Sequence, residues 1–175
     1  PLDDKGAMLI DWPRTDYWNS FKPHLSFYAL SHLDELERRL DEALISLGSS
    51  EGWQLPDAEG KLGEAYIALQ NAQNLMDSAT TARRTALDNA DSAAFGEYVD
   101  GRAAIAAAAK AFLDSGATER LGAAIERAAT ASPDSAVQLR AEAERINGTS
   151  GALATIVAGI DETRAAISSA VKGKV

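Results

Sequence analysis

The chain has 175 residues, a net charge of −9 and no cysteine. That acidity argues against a nucleic-acid backbone or an anionic membrane surface as partner, because both require clustered Lys and Arg. The missing cysteines exclude disulfides, thiolate catalysis and Cys-based zinc sites. At 18.5 kDa, a compact fold exposes roughly 8,200 Å² against roughly 27,000 Å² unfolded, so one sizeable core is feasible.

Residues 1–22 read as an irregular, aromatic-rich arm. The stretch DWPRTDYWNSFKPHLSFY from Asp11 to Tyr28 holds six of the eleven aromatic side chains: Trp12, Tyr17, Trp18, Phe21, Phe27 and Tyr28. Pro13, Pro23, Asn19 and Ser20 break helical periodicity there. Aromatic side chains bury large areas and recur at interface hot spots. With Trp53 they form the candidate interaction set. The arm either caps the chain's own bundle or docks on another subunit. The charge is also uneven: residues 1–60 carry 12 acidic and 5 basic side chains, the rest 14 and 12.

Residues 23–175 read as a single helical bundle. Apolar spacing of three and four predicts helices over about 23–47, 56–87, 92–114, 118–131, 133–146 and 150–172. The first has a seam of Leu33, Leu36, Leu40, Ala43 and Leu47 and stops at Gly48. Pro23, Pro56 and Pro133 sit where helices are expected to start. DNADS (88–92), Ser115–Gly116, ASPDS (131–135) and NGTSG (147–151) read as breaks. Alanine dominates from residue 58, with 32 of the chain's 35, and alanine is the best helix former. No period-two β-branched run predicts a strand. The expected fold is all-α: an elongated, Ala-rich bundle of about five to six helices with coiled-coil-like packing.

The most specific pattern is an alanine at every seventh residue: Ala58, Ala65, Ala72, Ala79, Ala86 and Ala93. Four residues after the first five come Leu62, Leu69, Met76, Arg83 and Ala90. The predicted packing seam is therefore Ala58, Leu62, Ala65, Leu69, Ala72, Met76, Ala79 and Ala86, with Arg83 where an apolar residue belongs. Small residues at every second turn let helices approach closely. They also bury little area, so the partner helix must supply larger side chains. The first and last helices are the expected partners; the last carries Leu153, Ile156, Ile160, Thr163, Ile167 and Ala170. The seam fits packing within one chain or between subunits.

Catalytic and metal patterns are weak. His24, Tyr28 and His32 share a helix face, but eight residues of helix separate the imidazoles by about 12 Å, too far for one ion. No Glu-x-x-His pair supports a di-iron bundle. LDELERRLDEAL (33–44) reads as a solvated face with Asp34–Arg38 and Glu35–Arg39 pairs. There is no phosphate loop and no G-x-S-x-G. No apolar run reaches membrane-spanning length, and no signal peptide is evident. No catalytic, cofactor or metal residue is predicted. The expectation is a non-enzymatic structural or assembly protein, made without a signal peptide in the cytoplasm, with other protein subunits as partners and homo-oligomers expected. Neither nucleic acid nor membrane insertion is expected. A subunit of a phage virion, tail or secretion apparatus fits by analogy. The competing reading is a monomeric bundle holding a small apolar ligand or lipid.

Overall fold

The computed structural model describes residues 27–172, with side chains from 31 to 169. Among these residues are five α-helices and no strand: α1 (Phe27–Gly48), α2 (Leu62–Asn89), α3 (Ser92–Asp114), α4 (Ala117–Ala131) and α5 (Ala136–Lys172). Short 3₁₀ turns at Glu51–Gln54 and Pro133–Ser135 join them. The protein is an all-α bundle. The most extensive pairings are α2 with α3, α1 with α5, and α4 with α5. Contacts between residues 36 and 159 and between 46 and 145 run α1 antiparallel to α5. One apolar cluster joins all five helices, from Leu36 in α1 to Ile160 in α5.

Two boundaries depart from the sequence reading, each for a local reason. A helix was expected from Pro56, but α2 begins at Leu62. Gly60 adopts a left-handed conformation, φ +69°, which interrupts any helix there. The Asp57 carboxylate instead accepts from the amides of Glu59 (3.3 Å), Lys61 (2.5 Å) and Leu62 (2.9 Å), filling the role of a helix cap. Burial would raise the Asp57 pKa, but these amides more than offset it and hold it below the ordinary range.

NGTSG was expected to separate two helices, but α5 runs through it for 37 residues, about 55 Å. Ile146 and Leu153 flank the segment and are fully buried. Ser150 Oγ donates to Thr118 Oγ1 on α4 at 2.9 Å. Packing on both sides outweighs two interior glycines, each worth about 1 kcal/mol against helix. By contrast, DNADS is a break. Ala90 is left-handed, φ 50°, and Asp91 caps α3 by accepting from Ala93 and Ala94.

The seam lies inside this chain. Leu62, Ala65, Leu69, Ala72, Met76, Ala79 and Ala86 are all buried in α2. Ala58 is not part of it: it is exposed and precedes the helix. The expected partners also need correcting. Helix α3 covers α2 most extensively, and α5 instead packs against α1 and α4. The bulk comes from Phe95, Ile105 and Phe112 of α3, all buried. At Gly101 an added Cβ would meet Ala79 Cβ at 3.4 Å, so the two backbones approach closely there.

Candidate functional site

Three helices bring charged side chains together where α1, α2 and α3 meet. On α1, Asp34, Glu37 and Asp41 recur at three- and four-residue steps, so they share one face beside the leucine stripe. On α3, Arg102 occupies the apolar register of Phe95, Ile105, Ala109 and Phe112 and is therefore carried into the interior. On α2, Arg83 interrupts the alanine seam. The helices enclose a cavity of about 560 Å³ whose wall includes all of these groups with Arg38, Arg84, Asp88, Tyr98 and Thr80.

Its closed end is an ion cluster. The side chains of Arg102 and Glu37 are only 7% and 9% exposed. Arg102 Nη1 donates to Asp41 Oδ2 at 2.8 Å, and Nη2 donates to the Glu37 carbonyl at 2.9 Å. Arg102 Nε lies 3.4 Å from Glu37 Oε2. From α5, Arg164 Nη2 donates to Glu37 Oε1 at 3.0 Å. One buried carboxylate thus ties α1 to both α3 and α5. Burial pushes the Glu37 pKa up, and the charges of Arg102 and Arg164 reduce that rise without cancelling it. For Arg102, burial alone would weaken its charge. The Asp41 hydrogen bond and the Asp41 and Glu37 charges more than offset this and raise its pKa. Burial likewise raises Asp34 and the Tyr98 phenol.

The sequence-predicted residues separate. Trp12, Tyr17, Trp18, Phe21 and His24 lie outside the described residues. Phe27 and Tyr28 begin α1, and their side chains lie outside the description. Trp53, grouped with the interaction aromatics, is instead a core residue at 6% exposure. Its Nε1 donates to the Leu47 carbonyl at 2.8 Å. Its ring lies 5.9 Å from Tyr66 and 6.0 Å from Phe112. Trp53 belongs to the main apolar cluster that joins the helices. His32 is exposed on α1. LDELERRLDEAL is solvated on one side only. Arg38 pairs with Glu35 at 2.7 Å and with Glu42 on that side, while Glu37 faces the interior. The ion cluster was missed, although Arg102 at an apolar register position was its signal.

No protein-family model, curated protein or solved structure matches this chain. Among the described residues no group of three or more His, Asp or Glu could hold a metal ion. No described helix is long and apolar enough to cross a membrane. Chemically, the arrangement can do two things. The buried end fixes how three helices meet, and the open end offers carboxylates and guanidiniums to a polar molecule.

Proposed function

We propose that the protein is a non-enzymatic structural or assembly subunit, a stiff helical module that joins other protein subunits through its aromatic N-terminal segment. The observation that carries this reading is the interior. Glu37, Asp41, Arg102 and Arg164 pair with one another across three helices, and α2 meets α3 through an alanine seam. Polar groups held this way fix one packing arrangement, and close alanine packing leaves little room for sliding. A stiff module suits a part in a larger particle, and the aromatics of residues 12–28 suit docking. A phage virion, tail or secretion-apparatus subunit is the analogue with these features. An apolar ligand is less well supported, because eight of the twelve residues lining the cavity between α1, α2 and α3 are charged.

Light scattering and native mass spectrometry of the chain at rising concentration are expected to show discrete oligomers. Deletion of residues 1–22 should abolish them while leaving helical circular dichroism intact. A strict monomer at every concentration would remove the homo-oligomeric form of the proposal. Unfolding of the deletion variant would make the segment part of the core.

A further inference from the structure

The cavity between α1, α2 and α3 contains polar groups that its own walls leave unsatisfied. Asp34 is partly buried, and no hydrogen bond or ion pair is seen from it to another described residue, although the charges of Arg83, Arg102 and Arg38 act on it without offsetting its burial. Burial is the largest influence on its pKa, which is raised. Asp41 Oδ2 is held by Arg102 and its second oxygen, Oδ1, is sealed from solvent, which leaves Asp34 as the α1 carboxylate that a ligand can reach. Buried carboxylate oxygens without donors are costly. Across the cavity Arg84 of α2 is exposed and pairs with no described carboxylate. The α1 wall is the acidic one, since Arg38 is tied to Glu35 and Glu42. Ala79 and Leu87 add apolar surface between the two walls.

We propose that this cavity is a binding site for a small zwitterion, an amino-acid- or dipeptide-sized molecule whose ammonium group meets Asp34 and whose carboxylate meets Arg84. The ammonium supplies donors to the Asp34 carboxylate, and guanidinium recognises carboxylate through paired hydrogen bonds. A volume of about 560 Å³ falls within the range of small-molecule sites, about 300–1,000 Å³. The proposal is independent of assembly, since a chain that stays monomeric can still bind.

The test is calorimetric titration of glycylglycine into the 175-residue chain at low salt, with amide chemical shifts followed over residues 34–41 and 80–88. Saturable one-site binding is expected. Acetate and methylammonium, each carrying one end of the zwitterion, should bind at least about tenfold more weakly. D34N and R84Q should each weaken the dipeptide at least about tenfold. Arg84 is exposed, so R84Q reports on binding even where D34N lowers stability. No saturation by about 10 mM dipeptide, acetate binding as tightly as the dipeptide, or full affinity in R84Q would each overturn the proposal.

Discussion

Arg102 enters the bundle because its neighbours in the register are apolar, and its charge survives there because Asp41 meets it end-on. Glu37 has the opposite balance: its raised pKa means that burial costs its charge more than two guanidiniums return. The two carboxylates should therefore respond differently to neutralisation. Asp41→Asn removes a charged hydrogen bond from a buried guanidinium and should cost about 1.5–3 kcal/mol in denaturant unfolding at pH 7. Glu37→Gln keeps an acceptor for Arg164 and should cost nothing, or gain slightly. The pH dependence follows from the direction of the shift. A folded-state pKa above the unfolded one means that folding takes up a proton between the two values. Glu37 therefore adds stability as pH falls from neutral through its folded pKa, and withholds it above. Any advantage of Glu37→Gln at pH 7 should shrink as pH falls toward the ordinary carboxylate range. An advantage that grows on acidification would reverse the assignment.

At the scale of elements, the helices were legible because periodicity and capping chemistry are local. Leu33 to Leu47, the alanine seam from Leu62 onward and the break at DNADS could all be read from the sequence. Where the helices pair was less legible, since a seam of small residues fits any partner that supplies bulk. NGTSG misled because its two glycines look like punctuation, while the packing of Ile146 and Leu153 that overrides them is tertiary. The same glycines provide a test. A Cβ added at Gly148 or Gly151 meets open space, so Gly148→Ala and Gly151→Ala should each stabilise by about 0.5–1 kcal/mol. Gly52 is the contrast. A Cβ there would lie 2.8 Å from Leu121 Cδ1 and 2.9 Å from Ile125 Cδ1, so Gly52→Ala should destabilise by about 1–3 kcal/mol. Chemical denaturation midpoints of the three variants check both signs.

At the scale of the whole molecule, the ion cluster joins Glu37 and Asp41 of α1 to Arg102 and Arg164, which lie far from them and from each other in the chain. No local pattern announces such a meeting; only the misplaced Arg102 hints at it. The same long-range connection determines how the bundle comes apart. One apolar cluster reaches every helix, and Glu37 links α1 to both α3 and α5. No described helix has a separate core large enough to persist alone; among the described residues the only other cluster is Ala86, Ala94 and Phe95, with Val99 packed against it at the α2–α3 turn. Unfolding should therefore be a single cooperative step. Trp53 reports on the interior because its indole is held between Tyr66, Phe112 and the Leu47 carbonyl. With Trp12 and Trp18 replaced by Phe, fluorescence would follow Trp53 alone, and far-ultraviolet dichroism would follow all the helices. The two denaturant curves should share one midpoint and one slope. If fluorescence changed first, the Trp53 end would be opening as its own unit, and the ion cluster would not couple that end to the rest of the bundle.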